Sequence, residues 1–293
     1  MSFVTREIEL TFRLRDGSLN DQGQDKVSLR GHRVELILAQ SGGILTLGEL
    51  QLRVFGMKMT DMNKFSTNQL HALAVRGAEI SVSAGDPIKG VKKIFDGTMI
   101  AGVVNYSGAP DIAFDLNARP GYLFQVAPAA ANSYEGSTDV ATIVEALAKQ
   151  MGYGFENHGV SVQLSNPNLP GTLIQQVKSV CNAARVLCKI ENGILSIWPN
   201  GSAFGEDFLQ ISPATGLVGY PVFTSTGIQI VTEFNPEASL GRRVQLDSSV
   251  EKARGEWVIH SMRHELSTVY PQGPWFTTMH LAKEGLVLNV SKW

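Results

Sequence analysis

Alternation of apolar and polar residues constrains the fold of this chain more than any other feature. Over residues 5–14 the alternation is regular, with Ile8, Leu10, Phe12 and Leu14 on one face and Glu7, Glu9, Thr11 and Arg13 on the other. A period of two residues is typical of a half-buried β-strand. Short strands at close spacing predict a barrel or a sandwich over residues 1–128. The further predicted elements are strands at 32–39, 49–55, 78–83, 95–105, 111–117 and 122–127, a polar loop at 16–26 and one helix at 60–75.

A helix-containing segment follows a run of small residues at 127–137, which we interpret as a linker. The spacing of apolar residues predicts two amphipathic helices, the first capped by Ser137 or Thr138 and ended by Gly152. An Asn-Gly pair between two apolar runs predicts a β-hairpin. Residues 137–199 are therefore predicted to form a small α/β module. Its predicted elements are helices at 139–151 and 172–186, a strand at 160–164, and hairpin strands at 186–190 and 194–198.

The remainder of the chain, residues 207–293, is predicted to be β-structure without a helix. Its candidate strands lie at 227–234, 242–246, 256–266 and 275–283. The predicted fold class is mainly β with an α/β insertion.

Two pairs of segments suggest an internal repeat. Residues 29–36 (LRGHRVEL) resemble residues 240–246 (LGRRVQL), and residues 48–57 (GELQLRVFGM) resemble residues 255–262 (GEWVIHSM). The matches occur in the same order and at similar spacing. Two copies of one barrel would explain them, and so would the chance similarity of glycine-containing hairpins.

The composition excludes some classes of protein. The net charge of −2 argues against a protein that coats DNA, which would carry a basic excess. Charged residues make up 18% of the chain, below the roughly 25% usual in soluble domains. Burial of surface against other subunits would explain this low value, as would extra loops or uncharged polar faces. Two cysteines are too few for a disulfide framework in a chain of this length. No apolar run approaches the ~18 residues of a membrane span. The charged N-terminus is unlike a secretory signal peptide.

Catalytic and cofactor motifs are incomplete throughout the sequence. Residues 85–91 have the GxxxxG spacing of a phosphate-binding loop but lack its lysine, so a turn is predicted there. Gly152 and Gly154 begin a dinucleotide fingerprint that lacks its third glycine, which indicates a helix stop. Asp16, Ser18 and Asn20 begin a calcium loop without its obligatory Gly and Glu. No GxSxG nucleophile motif occurs.

The remaining candidates for chemistry have structural interpretations. His260 and His264 lack the Glu and the helix of a zinc-binding HExxH motif, and on a strand they would share one face with Met262 as partly buried or interface histidines. Cys181 and Cys188 are not spaced as a metal knuckle and are predicted to be core residues. A pair of catalytic carboxylates among the 27 acidic residues stays open. The basic residues are predicted to form a solvated or interface edge, since they alternate with acidic ones (Arg242, Arg243, Lys252 and Arg254 with Asp247 and Glu251). No residue is assigned a catalytic, cofactor-binding or metal-binding role, and no cofactor is expected.

The C-terminal third contains a set of segments that together resemble a known family, namely residues 211–226 (ISPATGLVGYPVFTST), 233–236 (EFNP), 240–246, 255–260 (GEWVIH), 263–266 (RHEL) and 273–278 (GPWFTT). In these segments the chain resembles baseplate hub proteins of contractile-tail bacteriophages, the late-control protein D family related to the type VI secretion spike base. The order of the N-terminal strands and the inserted module fits the same family. The resemblance implies two tube-protein-like β-barrel domains at 1–128 and 207–293, joined by the linker and α/β module at 129–206.

The function that the resemblance implies is mechanical. Family hubs are homotrimers in which two barrels per chain match a hexameric tail tube on one side and a trimeric central spike on the other. The implied partners are two further copies, the tail tube protein, the central spike protein, other baseplate proteins and the tape-measure protein. DNA would pass only transiently through the lumen, and no stable membrane insertion is expected. The implied location is the virion tail baseplate, with assembly in the host bacterial cytoplasm, and no enzymatic activity is expected.

Three alternatives stay open. A tail-tube or tube-terminating subunit would form hexamers rather than trimers. A cell-wall hydrolase of the tail tip would need a carboxylate pair or a metal centre in a cleft. A carbohydrate- or receptor-binding module is disfavoured because aromatic residues make up only 8% of the chain, and Trp275 and Phe276 are predicted to be core residues.

Overall fold

The computed structural model describes residues 5–15, 23–67, 77–87 and 90–286, without the side chains of Thr46 and Glu206. The helices are α1 (Met59–Phe65), α2 (Tyr122–Val126), α3 (Val140–Met151) and α4 (Leu173–Ala184). The strands are β1 (Glu7–Arg13), β2 (Lys26–Leu29), β3 (Val34–Ser41), β4 (Leu45–Leu47), β5 (Glu49–Phe55), β6 (Glu79–Asp86), β7 (Gly90–Asn105), β8 (Ala113–Arg119), β9 (Asn132–Ser133), β10 (Ser137–Asp139), β11 (Gly154–Asn157), β12 (Gln163–Ser165), β13 (Asn168–Leu169), β14 (Val186–Glu191), β15 (Ile194–Pro199), β16 (Phe204–Ile211), β17 (Leu217–Thr224), β18 (Gly227–Glu233), β19 (Arg242–Leu246), β20 (Gly255–Thr268) and β21 (Trp275–Ala282).

The chain divides into two compact units. The first comprises residues 1–38, 49–122 and 264–275, and the second comprises residues 39–48, 123–263 and 276–293. The fold class is confirmed as mainly β with a small helix-containing module. The barrel domains and their boundaries stay predictions.

An antiparallel sheet dominates the first unit, in the order β5-β8-β7-β6-β1-β2, with the first half of β3 beside β5. The predicted alternation of β1 is confirmed, because Ile8, Leu10 and Phe12 are buried. The ring of Phe12 lies 5.2 Å from that of Phe65 and 6.4 Å from that of Phe114, at the centre of this core.

Two predictions in the first part of the chain were wrong. Residues 122–127 were predicted as a strand, but Tyr122–Val126 is a helix, since a short apolar run fits either structure and local hydrogen bonding decides. The helix predicted at 60–75 ends at Phe65. It ends there because Thr67 bonds to the backbone of Gly102 in β7 with both its amide and its hydroxyl. The rest of that predicted helix, residues 68–75, lies outside the described residues.

The α/β module lies within the second unit. Helices α3 and α4 pack together beside a four-stranded sheet in the order β11-β15-β14-β4 and enclose an apolar core. Gly152 ends α3 in the left-handed conformation, as predicted. The predicted caps of α3 were wrong, because residues 137–139 form β10 and Asp139 is the N-cap. Thr172 begins α4 with a capping box, in which its side chain accepts a hydrogen bond from the amide of Gln175.

The predicted hairpin in the module is confirmed, with Asn192 and Gly193 between β14 and β15. Strand β4 lies parallel to β14, so that Leu45 pairs with Cys188 far along the chain. The linker predicted at 127–137 contains β9, which pairs with β13.

A second sheet in this unit has the order β17-β18-β21-β20-β19-β16, counting the parts of β20 and β21 that belong to the unit. Its core contains Ile228, Ile230, Val244, Trp257 and Met279. Strands β16 and β17 were not predicted. The paired segments of the suspected repeat form neighbouring strands in each case, β3 with β5 and β19 with β20. The duplication itself stays a prediction.

Candidate interaction face

The two histidines that suggested a metal site lie at different depths. His264 is buried and His260 is half-buried. The buried positions of β20 shift by one residue between Ile259 and Met262, so the prediction that His260 shares a face with Met262 and His264 was wrong. In the part of the chain that the structure describes, no three His, Cys, Asp or Glu side chains are grouped as metal ligands.

The two cysteines are buried free thiols in the core of the α/β module, as predicted. Burial raises the pKa of the Cys188 thiol, and the neighbouring Cys181 adds to the effect. The protonated Cys188 donates a hydrogen bond to the carbonyl of Ile44 at 2.6 Å. A thiol held in this way lacks the thiolate character of a nucleophile.

The other sequence candidates are turns and edges. Gly85 pairs with Val91 in the β6–β7 hairpin, so the glycine spacing there belongs to a turn. Asp16, Ser18 and Asn20 lie outside the described residues. The basic residues of the second unit form ion pairs with acidic neighbours at the surface, which confirms the predicted edge (Arg242 with Glu237, Arg243 with Glu284, Arg254 with Asp247).

A polar cluster in the second unit resembles an activated serine but cannot act as one. The Lys189 ammonium lies 3.0 Å from the Glu191 carboxylate and donates to the Ser239 hydroxyl, which in turn donates to Glu191 at 2.8 Å. Burial raises the pKa of Glu191, but the charge and hydrogen bond of Lys189 outweigh it and leave that pKa below its usual value. Lys189 donates to the Ser239 hydroxyl, whereas the base of a Ser–Lys nucleophile would accept the proton of the serine. These contacts fit a structural role.

A small cavity in the second unit is lined by Leu187, Trp198, Gly241, His260 and Glu284, among others. Its volume is about 50 Å³. Pockets that bind small molecules usually measure roughly 300–1,000 Å³. This cavity has room for a few water molecules rather than for a substrate.

One face of the second unit's sheet carries several exposed apolar side chains. We use the term outer face for the residues of β17, β18 and β21 that point away from the core of Ile228, Ile230 and Met279. Pairing between strands places these residues in rows, namely Val222–Gln229–His280, Val218–Val231–Thr278 and Glu233–Phe276. Val218, Val222 and Phe276 are exposed. The prediction that Phe276 is a core residue was therefore wrong, while Trp275 is partly buried.

Strand β17 forms the edge of this sheet and is the most exposed apolar strand of the unit. Tyr220 is 73% exposed, Val222 59% and Phe223 54%. Solvent-exposed edge strands are ordinarily protected by charged side chains. Yet no Asp, Glu, Lys or Arg occurs from residue 208 to 232 or from 276 to 282, in a chain that is 18% charged. Such an edge is typical of a surface that a protein partner covers.

A β-bulge in β17 affects whether a further strand can pair with this edge. Val218 pairs with Val231 and Val222 with Gln229, so three residues of β17 lie opposite one residue of β18. Gly219 has a φ of +70° within this bulge, and Pro221, which also lies within it, has no amide hydrogen to donate. The bulge hinders the addition of a regular strand, so side chains rather than backbone groups would make the contacts. This face was not predicted from the sequence, although the charge-free stretches could have indicated it.

The sequence model of the baseplate hub gp41 family matches residues 27–273. The chain belongs to the baseplate hub gp41 family. Hub proteins of this family are structural components of the bacteriophage tail, which agrees with the resemblance seen in the sequence.

Solved structures share the fold of this baseplate hub chain. A tail protein from Neisseria meningitidis MC58 aligns with a TM-score of 0.66 at 11% identity, over 96% of this chain and 98% of that one. The 43 kDa tail protein of prophage MuSo2 from Shewanella oneidensis aligns with a TM-score of 0.61 at 10% identity, over 96% and 97%. A chain of the half-lidded Francisella PdpA–VgrG complex aligns with a TM-score of 0.53 at 10% identity, over 100% of this chain and 60% of that one. No curated protein sequence matches the hub chain significantly.

None of the described helices of the hub chain has the length and apolar character needed to cross a membrane.

His280 on β21, a residue of the outer face, lies near His260 on β20 in the hub chain. Burial lowers the pKa of His260, and repulsion from His280 lowers it further. Because the folded pKa of His260 lies below its unfolded value of about 6.5, the neutral imidazole contributes stability above that pH and the contribution is lost as the pH falls. We expect His280→Gln to raise the pKa of His260 and to flatten the fall in stability below pH 6.5.

Titration of the His260 ring protons by NMR, with urea denaturation at pH 7.5 and 5.5, measures both effects. His158, which lies against Glu156 in the module, provides the control substitution His158→Gln. An unchanged His260 titration in His280→Gln would show that burial alone sets this pKa.

Proposed function

We propose that this chain is the trimeric baseplate hub that joins the hexameric tail tube to the trimeric central spike. The family match over residues 27–273 carries the proposal. Three chains with two tube-like barrels each would present six similar barrels to the tube and three equivalent positions to the spike. The neighbouring strand pairs of the suspected repeat are what two related barrels would contain.

The partners of the proposed hub follow from this position in the tail. They are two further copies of the chain, the tail tube protein, the central spike protein, other baseplate proteins and the tape-measure protein, with DNA passing through the lumen. The fold similarity to a chain of the PdpA–VgrG complex supports association with a spike. Assembly would take place in the cytoplasm of the host bacterium.

A structural rather than an enzymatic role fits the chemistry of the described residues. The Ser239–Lys189–Glu191 cluster holds its lysine in an ion pair, and the small cavity is too narrow for a substrate. By contrast, the outer face offers exposed apolar side chains of the kind that assembly buries, at Val218, Val222 and Phe276.

Light scattering after size exclusion tests the trimer. We expect a mass of three times 31.8 kDa over a concentration series. A mass of six times 31.8 kDa would instead identify a tube or tube-terminating subunit, and a monomer at every concentration would contradict the trimer. Electron microscopy of the purified ring provides an independent count of its subunits.

A further inference from the structure

The turn between β14 and β15 contains a chemically reactive pair of residues, Asn192 and Gly193, which the proposed function does not use. Glu191 pairs with Ile194, so the two residues form a two-residue hairpin loop. Their φ angles of 50° and 79° are those of a type I′ turn, which an Asn-Gly pair favours. The same pair is thermolabile, because the amide nitrogen of a glycine attacks the side-chain carbonyl of a preceding asparagine without hindrance from a side chain of its own.

The structure leaves both reacting groups of this pair free. The Oδ1 atom of Asn192 is buried and has no hydrogen-bond partner among the described residues. The N–H of Gly193 donates to no described acceptor, because strand pairing resumes only at Ile194. A Cβ atom on Gly193 would meet no other atom within 4 Å, so the space around the attacking nitrogen is open. The carboxamide is therefore not held away from that nitrogen.

A second Asn-Gly pair, Asn200 and Gly201, provides a comparison within the same chain. It lies in the turn after β15. Both glycine carbonyls accept a backbone hydrogen bond, at 2.9 Å for Gly193 and 2.8 Å for Gly201. The difference lies in the asparagines, since Asn200 takes part in a polar contact and the Asn192 oxygen has none within the described residues. Of the two pairs, the one at Asn192 is the less restrained.

We propose that Asn192 is a site of spontaneous deamidation that limits the lifetime of the folded α/β module. The deprotonated amide nitrogen of Gly193 forms a bond to Cγ of Asn192, the bond from Cγ to Nδ2 breaks, and ammonia leaves after taking up a proton from solvent. The resulting succinimide takes up one water molecule and opens to aspartate or to isoaspartate. Water is the only co-reactant, and the reaction does not depend on the proposed trimer.

Isoaspartate at this position damages the module where its sheet is most central. It adds a methylene group to the backbone of a two-residue loop, and the length of that loop fixes the register of β14 and β15. These are the two inner strands of the sheet β11-β15-β14-β4. The new carboxylate also follows directly on Glu191, which is already paired with the buried Lys189. The deamidated chain is therefore expected to unfold at a lower urea concentration than the intact chain.

Three variants separate the reaction from its consequence. Asn192→Gly removes the carboxamide and keeps the turn, since Gly-Gly also favours type I′. Asn192→Asp introduces the carboxylate without lengthening the backbone, and Asp-Gly favours the same turn. Asn200→Gly removes the second pair and is the matched control.

Peptide mass spectrometry measures the reaction after the folded chain has been incubated at pH 6 and at pH 8. Replacement of the amide NH2 by a hydroxyl raises the mass of a peptide, and fragmentation assigns the gain to one residue and distinguishes aspartate from isoaspartate. We expect several times more product at residue 192 than at residue 200. The reaction is expected to be at least about tenfold faster at pH 8, because the fraction of deprotonated amide rises with pH.

Urea denaturation of the same samples measures the consequence. Incubation is expected to lower the midpoint of the wild type and of Asn200→Gly and to leave that of Asn192→Gly unchanged. Freshly prepared Asn192→Asp is expected to unfold close to the fresh wild type, because its backbone has the normal length.

Each other result overturns a stated part of the proposal. Equal product at the two asparagines, product at residue 200 alone, or no product at either would overturn the assignment of the site. Product at residue 192 with an unchanged urea midpoint would overturn its effect on the module. A fresh Asn192→Asp chain as unstable as the incubated wild type would overturn the role of the longer backbone and assign the loss to the charge.

Discussion

Replacing Lys189 by alanine is expected to lower the free energy of unfolding by about 3–5 kcal/mol. Lys189 is 5% exposed, and its ammonium contacts the Glu191 carboxylate, the Ser239 hydroxyl and the face of the Phe204 ring at 4.2 Å. Removal of the ammonium leaves a largely buried carboxylate without its counter-charge. Urea denaturation followed by circular dichroism measures the loss.

A matched ion pair on α3 serves as the control. Lys149 and Glu145 lie 2.7 Å apart on the exposed side of that helix, where 72% of the lysine side chain is accessible. Lys149→Ala is expected to cost only about 0.3–0.5 kcal/mol, because solvent screens the pair. The double variant Lys189→Met/Glu191→Leu is expected to recover most of the stability, since it leaves no unpaired charge. Equal losses in Lys189→Ala and Lys149→Ala would contradict the structural role of the buried pair.

The effect of Lys189→Ala is expected to depend on pH. The folded pKa of Glu191 in the wild type is lowered, so its carboxylate stabilises the fold above the unfolded pKa of about 4.3, and this contribution is lost as the pH falls. In Lys189→Ala, burial acts on Glu191 without the opposing lysine and favours its neutral form. The difference between wild type and variant should therefore shrink between pH 7 and pH 4. A constant difference would show that lost packing, rather than lost charge, causes the destabilisation.

Replacing Phe12 by alanine is expected to lower the free energy of unfolding by about 3–5 kcal/mol. Phe12 is fully buried on β1, between the rings of Phe65 and Phe114 in the core of the first unit. Truncation to alanine removes buried apolar area and leaves a cavity, since three strands and a helix surround the site.

Phe223→Ala is the matched control, because this ring is 54% exposed on β17. Its truncation is expected to cost about 1 kcal/mol or less. Urea denaturation of both variants measures the difference. Similar losses would place Phe12 outside the core that the structure describes.

Several local elements of this hub chain follow directly from the sequence. The alternation in β1, the glycine that ends α3 and the Asn-Gly turn between β14 and β15 were all predicted, because each depends on residues within a few positions of one another. The resemblance to baseplate hubs was likewise visible in the C-terminal segments, and the family match confirmed it.

Other features depend on residues far apart in the chain, and local patterns do not encode them. Strand β4 joins β14 through Leu45 and Cys188, and α1 ends where Thr67 meets Gly102. The alternation of buried positions in β20 shifts by one residue after Ile259, so His260 and His264 do not share a face as the sequence pattern predicted.

The sequence by itself determined the mainly β class, the helix-containing module and the family. Only the tertiary structure decided that β17 is an edge, that Lys189 is buried beside Glu191 and that Phe276 is exposed. The physical reason is that strand periodicity is a local property, whereas the burial of a given side chain depends on which distant strand pairs beside it.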